Sequence, residues 1–291
     1  MTRLYANVTH EMLPRVEDRL AMLYFEHAKI DVDDSSIKIM MAEEGIMRVP
    51  VATISTLLLG PGVSITHEAI KIIGKSNCLV CWVSEDSMAF HSFGMSPTHS
   101  MVNARTQCKI SVNTKMRQKV AQRMYSLRFP NDDFSGKTIQ EMMGMEGIRV
   151  RNFYLDASKR YNLEWYGRKY TIGNGSSDDP LNRAITSCNH ALYGIVTSAI
   201  HHLGYLPQIG FVHTSGSMPF SYDIADLYKT QVAVEAAFKA YEVNSKVYDR
   251  RYTMECFRGL VVENKVLSRI SDDIKFCLKG LEEESNKDTH K

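Results

Sequence analysis

The texture of this chain changes once, near residue 95, and the change limits what each half can become. Before it, apolar residues come in short runs cut by turn formers. "SSIKIMMAEEGIMRVPV" predicts two strands about a turn at Glu43–Gly45. "TISTLLLGPG", "NCLVCWVSED" and "SMAFHSFG" predict three more, the last two joined as a hairpin over Glu85–Asp86. "THEAIKIIGKS" is the exception. Its Ala69, Ile70, Ile72 and Ile73, followed by Gly74, suit a short helix. "FGMSPTHS" (93–100) reads as a linker. After it the segments lengthen. "SMVNARTQCKISVNTKMRQKVAQRMYSLRF" predicts a long basic helix, and "GKTIQEMMGMEGIRVRNFYLDASKRYN" predicts another beyond a turn at Pro130–Asp133. "LNRAITSCNHALYGIVTSAIHHLG" is so apolar that it should be buried on several sides. "SYDIADLYKTQVAVEAAFKAYEV" and "TMECFRGLVVENKVLSRISDDIKFCLKG" complete the helical part. The expected class is α+β. A small β-rich N-terminal domain (1–95) precedes a larger all-α catalytic domain (96–280) and a polar tail (281–291).

With 291 residues, 44% of them apolar, the chain can bury a sizeable core. Six cysteines are scattered through it, and only Cys78 and Cys81 form a CxxC pair. No second pair completes a zinc site. Along a strand these two thiols point to opposite faces, so they are expected to be free and buried, in a reducing compartment. The N-terminus lacks the apolar core of a signal peptide, and "VPVATISTLLLGPGVSI" is too short and too interrupted to span a bilayer. A cytoplasmic protein with no membrane partner is expected.

Net charge is only +2, but it is unevenly spread. Residues 1–97 carry 8 Lys/Arg against 12 Asp/Glu, whereas residues 101–170 carry 14 against 6, a surplus of +8. That local surplus suits a polyanion.

Glu146 in "GMEGIRVRNFY", and His213, Asp223 and Asp226 in "GFVHTSGSMPFSYDIADLYK", supply carboxylate and imidazole ligands from separate apolar segments. Each has an ordinary explanation by itself. Glu146 can pair with Arg149, Asp223 can cap a helix, and Asp226 can pair with Lys229. Together they point to a divalent-cation site. Asp223, Asp226 and Lys229 are spaced three apart and share a helix face. Carboxylate oxygens favour Mg²⁺ or Mn²⁺, and one imidazole tilts the choice toward tolerance of Mn²⁺. Such a cation suits phosphodiester transfer, with Arg149, Arg151 and Lys229 placed to hold phosphate charge. Without a cation, so many acids should repel one another.

The segments "MEGIRVRNFY", "YNLEWYGRKY", "ITSCNHALYGIVTSAIHHLGYLPQIGFVHT" and "YDIADLYK" resemble the CRISPR-associated integrase of the spacer-acquisition complex, in its type I-E (Cascade-associated) branch. The resemblance spans roughly residues 13–280. It implies an N-terminal β-domain, a helical catalytic domain, and metal ligands at Glu146, His213 and Asp226, with Asp223 assisting them. An assisting Asp223 should tolerate Asn better than Asp226 does. Lys229 matches a residue associated with DNA. Tyr170 and Tyr193 match tyrosines of a pocket that reads a short motif beside captured DNA, with Arg168 and Lys169 adjoining the first. His27 stands where the branch can carry an aromatic wedge that splays DNA ends. The implied activity is attack of a 3′-hydroxyl of a captured double-stranded DNA on a CRISPR-repeat phosphodiester. The implied assembly is a heterohexamer, two homodimers flanking a dimer of a small ferredoxin-like partner. A stand-alone structure-selective nuclease and a non-catalytic DNA-holding subunit remain alternatives.

Overall fold

The computed structural model describes residues 20–34, 36–42, 45–84, 90–96, 100–168 and 179–281. The predicted turn residues Glu43, Glu44, Glu85 and Asp86, and the tail 282–291, lie outside them. The chain divides into two units, residues 1–100 and 101–291.

The first unit is built on two four-stranded sheets. In one, β1 (Leu20–Phe25), β5 (Ile54–Leu59) and β7 (Leu79–Val83) run parallel, and β8 (Phe90–Gly94) pairs antiparallel with β7. The other has the order β4 (Gly45–Pro50), β3 (Ser36–Met41), β2 (Ala28–Asp33), β6 (Ser64–Ile65). β5 is buried along its whole length, as expected of a central strand covered on both faces. Helix α1 (His67–Lys75) begins where the Thr66 side chain accepts the Ala69 N–H. It buries Ala69 and Ile73 with Ile30, Ile37, Ile39 and Leu57. Cys78 joins that cluster, whereas Cys81 packs with Leu58, Leu79 and Val83 in another. All six cysteines are free.

The second unit is helical among its described residues. α2 (Val102–Val112) and α3 (Thr114–Arg128) replace the single long helix that the sequence predicts. Asn113 breaks it, because its side chain accepts the Met116 N–H and caps α3. α4 (Ile139–Arg160) starts in a reciprocal Thr138–Glu141 capping box. α5 (Pro180–His202) starts at Asp179, with Pro180 in its first turn. Its small residues, Ala184, Cys188, Ala191 and Gly194 among them, are buried on several sides at the centre of the main core. The segment after residue 218 also departs from one continuous helix. It forms α6 (Pro219–Ala225), a turn, a π-helical stretch (Thr230–Val234) and α7 (Glu235–Val243). Likewise α8 (Arg250–Glu263) and α9 (Val266–Leu278) are separated at Lys265, which has a left-handed φ of 50°. Among the described residues, no helix is long and apolar enough to cross a membrane.

Candidate active site

Three pieces of the helical unit meet at one small cleft: α3, the middle of α4, and the stretch from Phe211 through α6 to Lys229. Met124, Tyr125, Arg128, Glu146, Val212, His213, Asp223, Asp226 and Leu227 line it, around about 240 Å³ including its open mouth. All four acids and imidazoles singled out in the sequence are therefore neighbours, although 80 residues separate Glu146 from Asp226.

Asp223 builds the floor. Its side chain is fully buried. Oδ2 accepts the backbone N–H groups of Phe211 (2.6 Å) and Val212 (3.1 Å). Oδ1 accepts the His213 N–H (2.8 Å) and lies 2.7 Å from His213 Nδ1. One carboxylate thus folds the 211–213 turn and fixes the imidazole, leaving Nε2 as the nitrogen available to the cleft. The turn needs Gly210. A Cβ there would stand 2.3 Å from the His213 carbonyl oxygen and 3.0 Å from Asp223 Oδ2. The hydrogen bond to Asp223 raises the His213 pKa above its ordinary value, against the effect of desolvation. Burial pushes the Asp223 carboxyl above the usual carboxylate range, opposed by the His213 ring and the backbone donors.

Asp226, at the C-cap of α6, faces two cations. Lys229 Nζ lies 2.5 Å from Oδ1, and Arg128 Nη1 lies 3.5 Å from Oδ2. Burial raises the Asp226 pKa, but these two charges outweigh it and the net shift is downward. Reciprocally, desolvation works against the Lys229 charge and Asp226 overcomes it, holding the ammonium protonated.

Glu146 is held from α3 rather than by Arg149. Arg128 Nη1 donates to Oε1 at 2.5 Å and the Tyr125 hydroxyl donates to Oε2 at 2.7 Å. Tyr125 and Arg128 are three apart and so share a face of α3. Burial, then the Glu146 charge and hydrogen bond, push the Tyr125 pKa up, so the phenol keeps its proton. Sequence reasoning passed over both residues. Their i, i+3 spacing in "MYSLRF" was the available signal, but nothing in it names the partner helix. The expected repulsion between acids is also not what the site shows, because Arg128 and Lys229 balance it.

The remaining candidates fall into different settings. Arg149 is engaged locally: Nε pairs with Asp132, Nη1 donates to the Met145 carbonyl at 3.1 Å, and the guanidinium lies over Phe129. Arg151 is exposed and makes no ion pair among the described residues. Arg168 is built into the start of α5, where it donates to Asn182 and Thr186. Tyr193 sits under the Lys229 ammonium, 5.2 Å from Nζ to the ring centroid, and meets Tyr222 edge-on. It thus adjoins the acid cluster. His27 belongs to the other unit, exposed between β1 and β2 at a φ of 49°, and its N–H donates to the Pro61 carbonyl. Lys169 and Tyr170 lie outside the described residues.

Whether these groups suit a divalent cation can be judged from the donors themselves. Among the described residues, no three His, Cys, Asp or Glu side chains form a ready-made ligand cluster. The Arg128 guanidinium takes the place between the Glu146 and Asp226 carboxylates. In favour of a cation are two carboxylates and an imidazole oriented by a buried acid, all on one cleft. The donor chemistry fits Mg²⁺ or Mn²⁺ once Arg128 gives way.

Known proteins show the same chain plan. The family model described as CRISPR associated protein Cas1 matches residues 21–134 and 128–253. The chain is 41% identical over 276 residues to a CRISPR-associated endonuclease Cas1 of Chlorobaculum tepidum, spanning 95% of this chain and 93% of that protein. A relative of the same description from Thermus thermophilus is 36% identical over 269 residues, covering 92% and 82% respectively. One from Escherichia coli is 30% identical over 256 residues, covering 88% and 83%. Among solved structures, TtCas1 in its complex with DNA superposes with a TM-score of 0.77 at 35% identity, covering 92% of this chain and 100% of the other. A Cas1 protein from Thermotoga maritima shares the fold, with a TM-score of 0.64 at 16% identity, covering 91% and 96%.

Proposed function

Since the chain belongs to the CRISPR-associated Cas1 family, we propose that it is a metal-dependent DNA endonuclease and integrase of spacer acquisition, in the type I-E branch. Its curated relatives are endonucleases over most of their length, and this chain is an enzyme of their kind. The observation that carries the reading is the convergence of Glu146, His213 and Asp226 on one cleft, with His213 held by the buried Asp223.

Glu146, His213 and Asp226 are the residues that would hold Mg²⁺ or Mn²⁺. Such an ion supplies Lewis-acid polarisation of a phosphodiester and stabilises the leaving oxygen. The chain's own residues do the rest. Asp223 keeps the imidazole turned into the cleft. Lys229 and Arg128 bring fixed positive charge to where a phosphate would enter. Tyr193, stacked under Lys229, offers a ring face beside the same entrance. In the proposed reaction the 3′-hydroxyl of a captured duplex forms a new P–O bond with a repeat phosphate, and the 3′-oxygen of the cut strand leaves. The assembly proposed is a heterohexamer of two homodimers flanking a dimer of a small ferredoxin-like partner, in the cytoplasm. Binding of duplex DNA is supported by the likeness to TtCas1, which was solved with DNA.

The test is strand transfer of a labelled duplex into a plasmid bearing a repeat, with the co-purified partner and Mn²⁺. Glu146→Ala, His213→Ala and Asp226→Ala should each lower transfer at least about 100-fold. Near-normal transfer by any one of them removes that residue from the ligand set. Cleavage with water alone and no joined product would favour the stand-alone nuclease.

A further inference from the structure

Arg128 is the most buried basic side chain of the cleft, and no reading of the sequence pointed to it. Its side chain is 6% exposed, against 18% for Glu146 and 11% for Asp226. One nitrogen, Nη1, serves both acids, at 2.5 Å and 3.5 Å, and Nε has no hydrogen-bond partner among the described residues. A guanidinium placed for structure alone normally uses its fork, as Arg160 does with both oxygens of Glu235. Arg128 forgoes that geometry. It inserts one corner between the two carboxylates, at the spot that a shared cation would claim. Its plane rests over Phe129, at 5.2 Å from the ring centroid, which gives it an apolar seat on the α3 side.

We propose that Arg128 is a resident counter-ion. It holds Glu146 and Asp226 in register in the metal-free protein, and a divalent cation must displace it to bind. This inference rests on the metal-site reading above. Two charges contend for one pair of acids. The guanidinium spares the free protein the repulsion of two buried carboxylates. It also weakens the apparent metal affinity, because binding must first break its contacts. The same competition explains why the acids and imidazole surround one cleft without forming a finished ligand cluster.

The experiment is Mn²⁺ binding to the full chain, by calorimetry or by electron paramagnetic resonance of free Mn²⁺, together with melting curves at rising Mn²⁺. Arg128→Met should bind Mn²⁺ at least about tenfold more tightly than the wild type. It should melt lower without metal and gain more from it. Arg128→Lys, which keeps the charge on a single flexible donor, should fall between the two and reads the same competition if the Met variant does not fold. A merely structural arginine gives the opposite sign, with affinity unchanged or weakened as Glu146 loses its support. Either result overturns the proposal while the metal site stands. If neither wild type nor variants bind Mn²⁺, the metal-site reading falls and this inference falls with it.

Discussion

Asp223 accepts from four donors with two oxygens, and that count decides what a substitution there would do. In an asparagine, one of those oxygens becomes an NH₂ facing N–H groups. Turned one way it opposes Phe211 and Val212, and turned the other way it opposes His213. Each unsatisfied buried donor costs about 1–3 kcal/mol. The expectation from sequence alone, that Asp223→Asn is the milder change for metal binding, does not extend to stability. Asp223→Asn should unfold at a clearly lower temperature than Asp226→Asn, and should lose strand transfer because the 211–213 turn no longer presents His213. Melting both variants without metal checks this, and coincident curves would sink it. Glu146 and Asp226 obey related arithmetic. Removing Glu146 leaves Arg128 only its longer Asp226 contact, and removing Asp226 takes the acid from Lys229, a loss of about 3 kcal/mol when a buried pair is broken, so neither Ala variant should gain stability.

At the scale of elements, the cleft depends on helix ends and irregularities rather than on regular helix. α6 stops at Ala225, and the chain turns before the π-helical stretch, in which the Val234 N–H donates to the Lys229 carbonyl. Lys229, three residues past Asp226 in that turn, lies against Asp226 and over the Tyr193 ring. A second junction fastens α4, which carries Glu146. Arg160 grips both oxygens of Glu235 at the start of α7, and the Tyr161 hydroxyl reaches the same carboxylate at 2.5 Å. Burial raises the Glu235 pKa, yet Arg160 and Tyr161 win, and the folded value lies below the ordinary 4.5. A depressed carboxyl stabilises the fold above its unfolded pKa, and that contribution fades as pH falls through the folded value. Glu235→Gln should therefore be less stable than wild type at pH 7, with the gap closing below about pH 4.5. Urea midpoints from pH 7 down to pH 3 measure it. A gap that stays constant would show that the ionised form contributes nothing.

Over the whole molecule, the basic surplus of residues 101–170 does not behave as one uniform surface. Arg123 is tied to the carbonyls at the end of α9, Arg149 to Asp132 and Met145, and Arg168 to the start of α5. Much of the charge is used inside the fold. Arg151 is the exposed contrast on α4. Arg151→Ala should leave the melting temperature within about a degree of wild type. It should flatten the log–log salt dependence of duplex binding by roughly 0.9 if Arg151 meets a phosphate. Arg149→Ala should instead lower stability, because its loss frees Asp132 and uncovers Phe129. Titrations at four or more salt concentrations, paired with melts, separate the two. A slope unchanged in Arg151→Ala would mean that this face of α4 does not track the DNA backbone.

The sequence by itself determined the local things. Strand-like runs gave way to helical ones, α1 and α4 lie within the segments that predicted them, and the buried character of α5 was written in its small and apolar residues. Glu146, His213, Asp223 and Asp226 could be named because acids and imidazoles are rare in apolar surroundings. Other features needed the third dimension. Asn113 and Lys265 break helices through one side chain and one left-handed backbone angle, too local a signal for periodicity to carry. β1 and β5 pair in parallel across intervening strands, which no nearby turn announces. Above all, Arg128 and Tyr125 became part of the site only when α3 packed against α4. Which buried charge an acid finds depends on which helix crosses it, and that is settled by the packing of the whole core rather than by any stretch of the chain.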